Sequence, residues 1–257
     1  MLLVIDVGNT NTVIGVYEKD ILKESWRIRT VRDSTADEFN ILANALFSDR
    51  NINPKDIQKV VISSVVPSSV RILNGFCERY LNQTPLWISP GSVKKLMPIL
   101  YSNPNEVGAD RIVNAVAAYD KYRCAMIIID FGTATTFDVI SARGEYLGGA
   151  IVPGIMISAE ALFQKASRLP RVEIFKAPAK VIGTDTIESM QSGIIHGNAA
   201  MVDGMVERMA KEMEASPKII ATGGLAPLIA GISQSIEQVD QSLTLDGLRI
   251  IAREMDP

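Results

Sequence analysis

"VIDVGNTNTVIGV" spans Val4 to Val16, and a close relative of it, "IIDFGTATTFDVI", spans Ile128 to Ile140. Each begins as an apolar run that stops on an aspartate, Asp6 or Asp130. A glycine follows two places later, Gly8 or Gly132, and a threonine four places after that, Thr12 or Thr136. The acids stand 124 positions apart, 130 minus 6. Each copy reads as a buried strand, a turn of small residues and a second strand. One copy alone is ordinary hairpin chemistry. Its return in register with the acid kept predicts a duplicated site.

Outward from these turns, the segments repeat as well. Leu2–Asp6, Thr12–Glu18 and Ile21–Arg29 read as three strands, and Ser34 or Thr35 can cap a helix over "ADEFNILANALF". "KVVISSVV" is a buried strand, Pro67 starts a helix through Tyr80, "LWIS" is a short strand, and Gly108–Tyr122 a helix. The pattern then restarts. Ala125–Asp130, Phe137–Ser141 and Leu147–Val152 are strands, and a helix runs from about Ile155 to Ala166. "KIIATGG" is a strand that stops at Gly223-Gly224, and "LTLDGLRIIAREM" a last helix. The join falls near residues 118–124, which predicts halves of 1–118 and 119–257, with the last helix free to pack back on the first half.

The 257 residues are 47% hydrophobic and 21% charged, with a net charge of -3. That is enough for one large core or two of about 120 residues each, and too mild a charge for polyanion binding. No basic face marks a nucleic-acid binder, and "KASRLPRVEIFK" (Lys165–Lys176) reads as a solvated loop. No apolar run approaches the ~18 residues of a membrane span, and "MLLVID" lacks a basic leader region. Cys77 and Cys124 form neither a metal spacing nor a redox pair, as expected of thiols in a reducing cytosol. A cytoplasmic protein without nucleic-acid or membrane partners is the expectation.

What could two such turns hold? Glycine allows close backbone approach to a ligand. Consecutive N–H groups form a concave anion site, to which Asn9, Thr10, Asn11, Thr12, Thr133, Thr135 and Thr136 add donors. A carboxylate beside phosphate needs a cation between them, and Mg2+ prefers one or two carboxylates with water and phosphate oxygens. Two such turns facing across a cleft would grip a polyphosphate. Neither a P-loop nor a dinucleotide glycine motif is present. The strand running into Gly223 and Gly224 leaves exposed backbone against which an adenine or ribose could lie. This arrangement resembles the superfamily of actin, the sugar kinases and the heat-shock ATPases. The resemblance implies an α/β architecture of two duplicated RNase H-like domains (the actin-like ATPase fold).

Between the turns, "YSNPNEVGADRIVNAVAAY" (Tyr101–Tyr119) carries Asp110 at the opening of a helix. The helix dipole favours an acid there by about 0.3–1 kcal/mol, which explains Asp110 structurally. As a functional group, Asp110 could accept an alcohol's proton during attack on a γ-phosphate. Arg111 could hold a substrate carboxylate in a forked pair, or simply face solvent. His196 reads as a packed or capping residue, and Trp26 and Trp87 as core. Met190, Ile194, Met201, Met205 and Met209 recur at helical spacing as core or interface. Gly193 and Gly197 would permit close helix approach, and Asp185 with Glu188 forms a capping pair.

"DVGNTNT", "NPNEVGADR", "DFGTATT", "LGGAIVPG", "GTDTIESMQSG" and "ATGG", in this order, closely resemble the type III pantothenate kinases. Residues 31–100 contribute nothing to that likeness. The resemblance implies ATP-dependent phosphorylation of pantothenate by a homodimer, with Mg2+ and a potassium or ammonium ion. ATP would contact Asp6, Val7, Gly8, Asn9, Thr10, Asn11, Thr12, Val13 and Thr133, and the Gly223-Gly224 pair is expected to bind ATP as well. Asp6 would reach Mg2+ through water, and Asp130 would ligate the monovalent ion. Asp110 would be the proton acceptor, and Tyr101, Gly108, Ala109, Asp110, Arg111 and Thr186 would contact pantothenate. The alternatives are a related kinase for another hydroxy acid and a non-catalytic regulatory protein.

Overall fold

Six residues, Leu2–Val7, form the central strand β1 of the first half, and side-chain alternation divides them between two faces. Leu3, Ile5 and Val7 enter a core with residues of helices α1 (Ala36–Asp49) and α2 (Ser69–Phe76). Val4 and Asp6 take the other face. Strands β2 (Asn11–Glu18) and β3 (Ile21–Arg29) continue as an antiparallel meander. Strands β4 (Lys59–Ser64) and β5 (Leu86–Trp87) add in parallel on the other side, giving the order β3-β2-β1-β4-β5. The computed structural model describes residues 1–255.

The second half repeats the plan. Strands β6 (Met126–Phe131), β7 (Ala134–Ile140) and β8 (Tyr146–Pro153) form an antiparallel meander. Strands β9 (Lys218–Thr222) and β10 (Gln238–Val239) add in parallel, giving β8-β7-β6-β9-β10. The core on one face of this sheet takes residues from α5 (Ile155–Lys165), α6 (Thr186–Glu212) and α7 (Ala226–Ala230). Order and strand direction match the first sheet, so the fold is a duplicated α/β unit.

Two compact units result, one of Met1–Lys121 with the chain from Leu243 onward, the other of Tyr122–Ser242. The first thus ends three residues beyond position 118 and contains the last helix, α8 (Leu243–Glu254). Helix α8 packs on β1, β2 and β4. Leu245 lies against Gly15, and Thr244 donates to the Asn114 side chain at 2.7 Å. Gly247 sits so close to α4 (Ala109–Tyr122) that a Cβ there would lie 2.3 Å from the Val113 carbonyl oxygen.

Several local expectations change. Thr35 rather than Ser34 caps α1, accepting from Glu38 N at 3.2 Å while the Glu38 carboxylate accepts from Thr35 N at 2.8 Å. Pro67 precedes the α2 cap residue Ser68 instead of opening the helix, and the helix widens into π-type turns over Cys77–Leu81. A short helix, α3 (Pro90–Val93), follows Ser89, where no element was expected. Burial pushes the Cys77 thiol up to about 12, as an inert core group requires.

Candidate active site

In the first unit, β1 delivers Asp6 half-buried to the strand end, and the next residues reverse the chain. Gly8 N donates to Asn11 O at 3.0 Å, which spends the glycine donor on closing the turn. Thr30 braces it: its hydroxyl donates to Gly8 O at 2.8 Å, lies 2.9 Å from the Thr12 hydroxyl, and its N–H reaches Thr10 O at 3.0 Å. Asn9 and Thr10 at the tip are exposed, Val7 and Thr12 are buried, and Asn11 and Val13 are intermediate. The Asn9 side chain accepts from Arg32 at 2.9 Å.

The second turn is the same device one residue shorter. Val7 pairs with Thr12, whereas Phe131 pairs with Thr135, so four residues separate the first pair and three the second. Structurally, then, Thr12 corresponds to Thr135, and Thr136, opposite Asp130, corresponds to Val13. The sequence match of Thr12 with Thr136 is corrected by that one-residue difference. Gly132 N donates to Ala134 O at 3.1 Å. Where the first turn has Thr30, the second has Gly154, whose missing Cβ would meet Thr133 O at 2.1 Å. The glycine lets the shorter turn pack backbone to backbone against the start of α5.

Asp130 is half-buried like Asp6, and Gly223 lies directly on it. A Cβ at Gly223 would stand 2.5 Å from Asp130 Oδ1 and 2.7 Å from Phe131 O, and the residue's φ is +92°. Only glycine suits that conformation and that space. Gly224 has nothing within 4 Å of a Cβ position and is exposed. The glycine pair therefore divides its work: Gly223 seats the acid, and Gly224 leaves backbone open.

Asp110 and its neighbours belong to the first unit. A Cβ at Gly108 would lie 2.5 Å from Asp110 Oδ1 and 3.7 Å from Val65 Cγ1. Val65 N in turn donates to Val7 O at 3.1 Å. This chain of contacts brings the Asp110 carboxylate to the end of the sheet where Asp6 turns. Asp110 Oδ1 accepts from Arg111 N at 2.8 Å. Burial raises the Asp110 carboxyl above its ordinary value, and the Arg111 backbone and guanidinium pull it partly back. Arg111 is itself buried, which removes the solvent-facing reading. Tyr101 and Ala109 are half-buried on the approach to α4.

Thr186 opens α6 and is exposed, lining an 880 Å³ groove with Ser158 and Leu162 of α5 and with Gly193. Asp185 caps the helix, accepting from Glu188 N at 2.8 Å, and Glu188 accepts from the Thr184 hydroxyl at 2.9 Å. His196 lies 3.1 Å from Pro178 O, a packed residue. Met190 and Ile194 are buried, and Met201, Met205 and Met209 pack against the same core. Gly193 and Gly197 are exposed, and a Cβ at either would have nothing within 4 Å.

Two buried hydroxyls escaped sequence reasoning. Ser63 is the register partner of Asp6 on β4, and Thr222 the register partner of Asp130 on β9. No local signal announces them, because register between distant strands is a property of the sheet.

A twice-built α/β unit, each copy carrying an acid one residue before the end of its central strand and a glycine turn after it, is the actin-like ATPase fold. The (R)-2-hydroxyglutaryl-CoA dehydratase component A of Acidaminococcus fermentans superposes with a TM-score of 0.56 at 12% identity, covering 98% of this chain and 95% of that one. At that identity the likeness is one of fold alone. Residues 2–208 match the family model for type III pantothenate kinase. A type III pantothenate kinase from Desulforapulum autotrophicum is 70% identical over 252 residues, 98% of this chain and 96% of its own. Another, from Desulfatibacillum aliphaticivorans, is 60% identical over 251 residues, again 98% of this chain and 97% of its own. The chain belongs to the type III pantothenate kinase family.

Proposed function

We propose that this chain transfers the γ-phosphoryl group of ATP to the primary hydroxyl of pantothenate, giving 4'-phosphopantothenate, the first step of coenzyme A biosynthesis, in the cytoplasm. The observation that carries the reading is the 70% identity to a type III pantothenate kinase across 98% of the chain. Phosphoryl transfer needs positioning and charge stabilisation more than covalent chemistry. Asp110 accepts the hydroxyl proton as that oxygen attacks, and its burial makes it a stronger base than an ordinary carboxylate. Arg111, Tyr101, Gly108, Ala109 and Thr186 contact pantothenate, with Arg111 the natural partner of its carboxylate. Asp6 to Val13, Thr133 and the open backbone at Gly224 contact ATP.

Mg2+, when bound with ATP, offsets phosphate charge. Asp6 fits the water-mediated role: it offers one carboxylate, beside the buried hydroxyl of Ser63. Asp130 fits a potassium or ammonium ion, since its Oδ1 and the Phe131 carbonyl oxygen both border the bare Cα of Gly223. The working state is a homodimer, supported by exposed apolar side chains at Ile151, Met156, Phe175 and Ile182 and by the open glycines of α6.

The test is ADP release measured in a coupled assay with pantothenate and with a panel of other hydroxy acids. Release that depends on pantothenate is expected. Turnover with another acid and none with pantothenate would assign the chain to a different acceptor.

A further inference from the structure

Ser63 and Ser64 are adjacent on β4, and their hydroxyls have opposite fates. Ser64 Oγ accepts from Val66 N at 3.0 Å and lies 2.8 Å from the Ser69 hydroxyl, so it closes the turn after the strand. Ser63 is 0% exposed, and its hydroxyl makes no hydrogen bond within the protein. Ser63 pairs in parallel register with Asp6, so the two side chains leave the sheet on the same face, one strand apart. The duplication repeats the arrangement with Thr222, 3% exposed, beside Asp130. Alanine would fill the Ser63 site as well in the resting protein. A buried hydroxyl left unbonded destabilises the fold, and such groups are retained where function uses them.

We propose that Ser63 is a positioning residue for Asp6: its hydroxyl hydrogen-bonds into the oxygen shell that Asp6 shares with Mg2+ and nucleotide. The inference rests on the kinase reading above and deepens it. The hydroxyl lies on the face where Asp6 emerges, and it can donate or accept as that shell requires. Its contribution therefore arises only when metal and nucleotide are bound.

The experiment compares the wild-type protein with S63A and S64A by two measurements, neither of them turnover. Scanning calorimetry of the ligand-free proteins gives the midpoint of unfolding. Titration calorimetry gives the affinity for a non-hydrolysable ATP analogue with and without Mg2+. For S63A the expected result is a midpoint equal to or above wild type. Its Mg2+-dependent affinity should be about tenfold weaker, the effect of one hydrogen bond to a charged shell, with metal-free affinity unchanged. S64A should show the reverse, a lower midpoint and wild-type affinity. A lowered midpoint in S63A, unchanged Mg2+-dependent affinity, or an equal loss of affinity in S64A overturns the role of Ser63. Failure of the wild-type protein itself to bind the Mg2+ complex overturns the kinase reading as well.

Discussion

Asp110 shows how one residue serves function against stability. Its carboxyl is raised by burial, so the folded protein holds that proton more tightly than the unfolded chain. The stabilising contribution is full below the unfolded pKa and is lost as pH rises through the folded value. Asp110→Asn should therefore raise the unfolding midpoint at pH 7, and the difference should vanish in acid. The same change should lower kcat by about 10²–10⁴-fold while nucleotide binding persists. Equal unfolding midpoints at pH 7, or undiminished turnover, would remove the residue from this role. In the wild-type enzyme the acid limb of kcat/KM should lie above the usual carboxylate range. Gly223 obeys a harder constraint. Gly223→Ala forces a positive φ on alanine at about 1–3 kcal/mol and drives a methyl into Asp130. Urea denaturation should register that loss, and the response of activity to potassium over sodium should diminish with it.

At the scale of elements, the repeated hairpin was legible because its signals are local: apolar runs, an acid, glycine and threonine at short spacing. The helix from Gly108 was legible for the same reason. The third strand of each meander gave up less. Thr30 and Gly154 occupy equivalent places after β3 and β8, and nothing nearby in the chain says that either braces a turn. A turn one residue shorter requires a bare Cα where the longer one accommodates a threonine. Helix α8 is the other lesson. Its buried Leu243, Leu245, Leu248, Ile250 and Ile251 serve strands β1, β2 and β4, the last of which ends at Ser64, 179 residues before Leu243 (243 minus 64). Each such side chain contributes roughly 1.5–3 kcal/mol. Gly247→Ala, which sets a methyl against the Val113 carbonyl, should destabilise the first unit by about 1–3 kcal/mol. Calorimetry that finds the midpoint unchanged would show that α4 and α8 can separate at no cost.

For the whole molecule, the two units differ in what they expose. Phe175 and Ile182 of the second unit, 81% and 82% accessible, are the most exposed large apolar side chains among the described residues. Sedimentation equilibrium should find a dimer, and Phe175→Asp with Ile182→Asp should weaken it at least tenfold, about 1.4 kcal/mol. A wild-type monomer at micromolar concentration would refute the second copy as the cover. By itself the sequence determined the duplicated α/β pattern, the acid one residue before the end of each central strand and the helix whose first turn holds Asp110, because hydrophobic period and turn chemistry act between near neighbours, while its motifs carried the resemblance to the family to which the chain belongs. Only the tertiary structure decided that Ser63 and Thr222 stand beside the acids, that Gly223 rests on Asp130, and that the last helix completes the first unit. Those facts depend on which distant strands pair and in which register, and chain positions far apart meet only once the sheet is closed.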